Sequence, residues 1–282
     1  MEEIPALSDD VLDLGRRLIP SPVFIVGCAR SGTSIFGEAL AAHPGITYLF
    51  ELSPMWSGLV GEREDHRLDA THAGDEVARR VYEGFTEASS PAPVAVLVEK
   101  NPKHVLRMPF LDRIFPWARY LHIVRDGRDV TASLMFRNRG ERWGHLEIPG
   151  WRELLARHPR ENHVRCAHQW RDSVTIARQD GSRLGDRYLE VSYERLVRDP
   201  GVEVPRVLGF IGLAVTDEVR EFWTKIRDET RGSYHARKQV RHYVENHSRR
   251  IGRFRENLTP GQQRDVEGIC QELLVELGYE TA

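Results

Sequence analysis

The sequence predicts an α/β fold: a parallel β-sheet flanked by helices in three layers, with a helical C-terminal half. Three observations predict it. Val23-Phe-Ile-Val26 is a short, continuous apolar run rich in β-branched residues, the pattern of a strand buried on both faces. Similar runs return at 94–98, 120–124 and 188–191, with helical apolar spacing between them. Glycine follows the first run at Gly27 and the third at Gly127, where the chain must turn from strand into helix. Buried strands separated by helices imply parallel pairing, and right-handed crossovers bring the carboxyl ends of the strands to one edge. Ligands bind outside that edge.

Ser8-Asp-Asp followed by Val11, Leu12, Leu14 and Leu18 reads as a capped amphipathic helix ended by Pro20 and Pro22. After the strand at 23–26, Ile35, Phe36, Ala39 and Leu40 recur at helical spacing until His43-Pro44-Gly45. Val77, Val81 and Phe85 mark the next helix, and further helices are expected at 109–114 and 129–136. One long helix is expected over 151–177, and helix again from the strand at 188–191 to Leu277. The polar stretches 62–75 and 137–150 show no clear period and read as variable lids. The whole chain, 1–282, is expected to form one domain, with an arm at 1–21, a core at 22–258 and a closing helix at 259–282.

With 282 residues, 40% of them apolar, the chain can bury a large core. Its formal net charge of -2 creates no global field for nucleic acid or an acidic membrane, so an anion site requires a local cluster of basic residues. Three widely spaced cysteines, Cys28, Cys166 and Cys270, favour neither a disulfide framework nor a Cys-rich zinc site. His163, Cys166 and His168 share a helix without a fourth ligand, and no metal site is expected. With an acidic N-terminus and no long apolar stretch, these features lead to the expectation of a cytoplasmic protein with no membrane or nucleic-acid partner.

The chemistry concentrates in a few segments. Gly27-Cys-Ala-Arg-Ser-Gly-Thr-Ser34 has the spacing of a phosphate-binding P-loop, but Thr33 stands where a nucleoside triphosphatase needs lysine. Its backbone N–H groups and the following helix N-terminus still form an anion cradle, and Arg30 adds charge. Arg125 stands at a strand tip and Ser133 one turn into the next helix, where both can reach a single phosphate, while Asp129 can cap that helix. Lys100, in Glu99-Lys100-Asn101-Pro102, follows another strand and can neutralise charge developing on a leaving oxygen. Residues 231–255 hold Arg231, Arg237, Lys238, Arg241, Arg249, Arg250, Arg253 and Arg255 against Glu245 alone.

On these motifs the chain resembles the sulfotransferases that use 3′-phosphoadenosine-5′-phosphosulfate (PAPS), over roughly residues 22–258. The resemblance implies that Arg30, Ser31, Gly32, Thr33 and Ser34 hold the 5′-phosphosulfate and that Arg125 and Ser133 hold the 3′-phosphate. It implies that Lys100 and Ser248 assist departure of 3′,5′-adenosine bisphosphate (PAP), with Arg249 and Arg253 as phosphate ligands. Tyr193 either meets the adenine or packs in the core. The histidine that serves as base in cytosolic small-molecule enzymes is replaced by Pro102. Glu51 matches the glutamate base of protein-tyrosine and some carbohydrate enzymes, with His104 the second candidate.

The expected activity is in-line transfer of a sulfuryl group from PAPS to a hydroxyl of a small-molecule or sugar acceptor, by residues that need no metal. Two other readings compete. In one, Asp126 is the acid of a P-loop kinase; in the other, the basic segment binds a polyanion. Trp56, Trp143 and Trp151 are candidates for the acceptor pocket, and Trp117, Trp170 and Trp223 for the core.

Overall fold

The computed structural model describes residues 5–56, 58–59, 63–89, 95–137, 146–228, 232–234, 242–244 and 247–281. Its main sheet contains β1 (Pro22–Val26), β2 (Ile46–Phe50), β3 (Val96–Lys100), β4 (Arg119–Val124) and β5 (Tyr188–Ser192). The order is β2-β3-β1-β4-β5, and every pairing is parallel. β1 therefore lies in the middle, and the chain crosses over it between β3 and β4, which opens the crevice where doubly wound sheets bind ligands.

Alternation along the strands explains the three layers. Phe24 and Val26 face one core with Tyr82, Phe85, Phe110 and Tyr120; Val23 and Ile25 face another with Phe36, Leu40, Ile123 and Trp223. All five residues of β1 are buried, each large aliphatic chain contributing on the order of 1.5–3 kcal/mol. A third core lies between the helices Gly127–Arg137, Asn162–Gly181 and Pro260–Glu276.

The observed elements differ from the expected ones in instructive ways. The strand expected at 94–98 runs instead over Val96–Lys100, so Lys100 is its last residue and lies beside Ile25 of β1 and Phe50 of β2. β2 is an edge strand that the sequence pattern did not reveal, because it begins directly after a tight turn in which His43 Nδ1 accepts from the Gly45 N–H (2.9 Å). The helix expected over 151–177 is two, Trp151–Arg157 and Asn162–Gly181, broken at Pro159. A short antiparallel pair, Gly232–Tyr234 with His242–Val244, interrupts the expected C-terminal helix.

Ser8 does not cap the helix Asp9–Leu18; its N–H and hydroxyl both bind the Asp75 carboxylate, at 3.0 and 2.7 Å. The described part of the first lid is pinned rather than loose. Arg67 forms a two-pronged ion pair with the buried Asp180, and Leu68 enters the core. Trp143 and most of the second lid lie outside the described residues, as do Arg231, Arg237, Lys238, Arg241 and Glu245.

Candidate active site

Each of the five strands delivers a candidate residue at its carboxyl end. β1 leads into the loop at 27–34, β2 into Glu51, β4 into Arg125 and β5 into Tyr193, while β3 ends on Lys100 itself. Parallel pairing alone collects them at one edge.

The loop bends by left-handed backbone at Arg30 (φ 76°) and Gly32 (φ 95°). Arg30 is a non-glycine residue in this region, a conformation that costs on the order of 1–3 kcal/mol and is concentrated at functional sites. Gly32 is required twice over, since a Cβ there would also meet the Tyr193 ring at 2.5 Å. The strained turn directs the Arg30 side chain toward the second motif. Its Nε donates to Ser133 Oγ at 3.1 Å, and Arg125 Nη1 donates to the Arg30 carbonyl at 3.3 Å. Loop, strand tip and helix are therefore one cluster. Arg125 is almost fully buried, and among the described residues its Nε and the Ser31 hydroxyl are buried polar atoms with no hydrogen-bond partner. Burying such donors is costly unless something accepts from them. A multiply charged anion in the cradle supplies those acceptors, so the residues present fit a phosphate-rich ligand.

The second cluster surrounds Lys100. Its ammonium is wholly buried, forms an ion pair with the half-exposed Glu51 carboxylate, and lies 3.8 Å from the centre of the Phe50 ring. Burial lowers the Lys100 pKa, and Glu51, Glu99 and Glu38 oppose that shift. Glu51 also has left-handed backbone (φ 44°), and its N–H donates to the Lys100 carbonyl at 2.8 Å. The strand end is thus turned sharply so that Glu51 and Lys100 meet. His104 is not available as a base: it is fully buried, with Nε2 2.6 Å from the equally buried Glu99 and Trp56 packed edge-on at 4.7 Å. Trp56 is buried and donates to Glu99 (3.3 Å), so it supports this floor rather than presenting a face to an acceptor.

Beneath Lys100, Glu38 is fully buried, and burial pushes its carboxyl pKa up from 4.5 to about 8 against the opposing pull of Lys100. Its folded-state pKa lies above its unfolded one. Between these values the folded chain holds a proton that the unfolded chain has released, so stability falls as pH rises through that window. The loss amounts to a few kcal/mol, to order of magnitude. Glu38→Gln, which imitates the protonated acid, should match the parent below about pH 4.5 and become progressively more stable than it up to about pH 8. Denaturant midpoints measured across that range check this; parallel profiles for the two proteins would show that Glu38 ionises normally.

The third cluster is the turn His247–Arg250 and the residues after it. Ser248, Arg249 and Arg253 are exposed, whereas the Arg250 carbonyl accepts from Arg125 Nη2 at 2.6 Å. Asp129, read from the sequence as a helix cap, lies inside the first turn of Gly127–Arg137 and instead accepts from the Gly252 and Phe254 N–H groups at 2.8 and 2.9 Å. Of the two readings for Tyr193, contact with the adenine or packing in the core, the burial of the ring fits the second. The ring is 1% exposed, lies against Gly32 with the Arg125 guanidinium 4.6 Å from its centre, and its hydroxyl is 2.8 Å from His247 Nδ1. It is a keystone between loop, strand tip and C-terminal turn, with no open face for a base.

Asp126 is held by its neighbour: its carboxylate accepts from the Arg128 N–H (2.9 Å) and guanidinium (2.8 and 3.1 Å). That removes the acid a kinase would need for its metal. Trp170 is core, as expected, and donates to the Arg125 carbonyl at 3.0 Å; Trp223 is buried too.

Comparison with known proteins agrees with this geometry. The profile described as “Sulfotransferase family” matches residues 22–217. A protein-tyrosine sulfotransferase 1 of Danio rerio is 26% identical over 209 residues, 70% of this chain and 54% of the relative. The nodulation protein NoeE of Sinorhizobium fredii is 26% identical over 296 residues, 95% of this chain and 68% of that protein. The chain spans about half the length of the protein-tyrosine sulfotransferases it matches, 54% and 52% for two of them. Among solved structures, the sulfotransferase domain of the Synechococcus PCC 7002 olefin synthase shares the fold, with a TM-score of 0.57 at 21% identity over 93% of this chain and 96% of that one.

The expected cytoplasmic location, drawn from the cysteines, the acidic N-terminus and the lack of a long apolar stretch, is corrected by these relatives, several of which are named for protein tyrosine. The cysteine argument behind it also fails physically. Cys28, Cys166 and Cys270 are all buried in one core, where burial raises the Cys28 and Cys270 thiols to about 12, so their reduced state reflects burial rather than compartment. Among the described residues no helix is long and apolar enough to cross a membrane.

Proposed function

This chain belongs to the sulfotransferase family, and from that premise we propose that it transfers the sulfuryl group of PAPS to the phenolic hydroxyl of a tyrosine in a peptide or protein. The observation that carries the reading is the convergence at one sheet edge of the Arg30–Ser133–Arg125 cluster with the Lys100–Glu51 pair. The acceptor is inferred from the relatives' names, and the match of Glu51 to the glutamate base of such enzymes supports it, which moves the reading away from the small-molecule or sugar acceptor suggested by the sequence.

In this reading the bound donor supplies an activated sulfuryl group whose bond to the 5′-phosphate breaks as the bond to the acceptor oxygen forms. The loop at 27–34 holds the 5′ end through its N–H groups and Arg30, and Arg125 with Ser133 holds the 3′-phosphate. Glu51 takes the proton of the acceptor hydroxyl. Lys100 and Ser248 stabilise charge on the departing phosphate, and Arg249 and Arg253 close over it. Positioning and electrostatics carry most of the catalysis, as in phosphoryl transfer.

The test is incubation of the chain with PAPS and three acceptor sets: tyrosine peptides, the same peptides with phenylalanine in place of tyrosine, and simple sugars or phenols. Sulfation of the tyrosine peptides, read by mass with release of PAP, is expected. Sulfation of the sugars or free phenols alone would overturn the acceptor, and release of PAP with none of them would overturn the transfer. ATP with Mg²⁺ in place of PAPS should give no transfer.

A further inference from the structure

Arg125, at the strand tip, and Asp129, in the first turn of the helix that follows, lie 3.4 Å apart from Nη2 to Oδ2, and both bind the same stretch of distant backbone. The Arg125 guanidinium takes the Arg250 carbonyl, and the Asp129 carboxylate takes the Gly252 and Phe254 N–H groups. These contacts fall on alternate residues of the segment that carries Ser248, Arg249 and Arg253. Gly252 has φ 77°, which turns the chain after it so that the Phe254 N–H meets the same carboxylate as its own. Asp129 is 2% exposed, and its two oxygens are each engaged by one N–H, which fixes the carboxylate in a single orientation. Phe254, held by one of these bonds, packs under the Arg128 guanidinium at 4.3 Å and enters the core below the helix.

We propose that Asp129 is a positioning residue for donor recognition: it orients the Arg125 guanidinium and bolts residues 250–254 to the helix Gly127–Arg137, so that the 3′-phosphate site exists before the donor arrives. This rests on the reading of Arg125 and Ser133 as the 3′-phosphate site. Asp129 does not touch the donor; it acts through its neighbours. A carboxylate is needed because only two acceptor oxygens and a negative charge can satisfy two backbone N–H donors and face a guanidinium at once. An asparagine of the same shape offers one acceptor oxygen and no charge.

The test compares binding of PAP with that of 5′-AMP, which lacks the 3′-phosphate, by calorimetry on the parent chain, Asp129→Asn and Arg125→Ala. The parent should prefer PAP, Arg125→Ala should lose that preference, and Asp129→Asn should lose about tenfold or more of it while 5′-AMP binding stays close to the parent's. If the parent shows no preference, the donor-site reading fails and the proposal with it. If the parent prefers PAP, Arg125→Ala abolishes the preference and Asp129→Asn retains it in full, the donor site stands and the role of Asp129 is overturned. Equal weakening of PAP and 5′-AMP by Asp129→Asn would indicate a merely structural role and also overturn it. Should the variant not fold, amide hydrogen exchange in the unliganded parent decides: Gly252 and Phe254 should exchange slowly, and exchange at the unprotected rate would overturn the proposal.

Discussion

Replacing Glu51 with glutamine should lower kcat by about 10²–10⁴, the usual contribution of a positioned general base, while the affinity for PAP changes little. Glutamine keeps the shape and removes the proton acceptor. The expected loss has a second source, because Glu51 is also the ion-pair partner of Lys100, whose ammonium is wholly buried. Without that carboxylate, burial depresses the lysine further and weakens the charge offered to the leaving oxygen. The two contributions separate in a pH profile. Loss of the base alone lowers turnover at every pH, whereas loss of lysine charge is greatest on the alkaline side. Unchanged turnover in Glu51→Gln would remove Glu51 from the reaction. Replacing His104, locked against Glu99, should act through stability rather than through kcat.

Lys100→Met should reduce kcat by about 10²–10³, the cost of removing one preorganised stabiliser of transition-state charge, with thermal stability equal to the parent's or higher. The opposite signs follow from burial. A fully buried ammonium is costly to desolvate, and a methionine of similar length fills the same space beside Phe50 without that cost. The abandoned partner is not stranded, since the Glu51 side chain is 37% exposed and can be hydrated. In the parent, turnover should fall on the alkaline side below the ordinary lysine range, because burial lowers the Lys100 pKa and the deprotonated amine cannot stabilise the leaving group. Melting curves with steady-state rates check both halves. A variant with parental kcat would place the leaving-group charge elsewhere.

The cradle shows how far local signals reach. Gly27, Arg30, Gly32 and the apolar run before them are contiguous, so strand, turn and helix start were all legible from adjacent residues. Arg125 and Ser133 were legible as neighbours because a strand tip and one helical turn have known reach, and in the structure each of them contacts Arg30. The edge strand Ile46–Phe50 was not, because its identity comes from pairing with Val96–Lys100, far away in the chain. The same pairing brings Glu51 onto Lys100.

Asp129 and Tyr193 mark the other limit. Asp129 looks like a helix cap, and Tyr193 leaves adenine contact and core packing open, because each is read against its sequence neighbours. Their partners, Gly252 and Phe254 for one and His247 and Gly32 for the other, come from remote segments.

The sequence by itself determined the layered parallel sheet, the glycine-rich loop after its first strand, and the position of the basic residues at the strand ends. Periodicity and loop spacing are local, and hydrophobic burial enforces them wherever the chain goes. Only the tertiary structure decided that Glu51 and Lys100 neutralise each other, that His104 is sealed in the core, and that Asp129 clamps the C-terminal segment. Those outcomes depend on which buried charges meet, and a buried charge is settled by the partner that the fold brings to it.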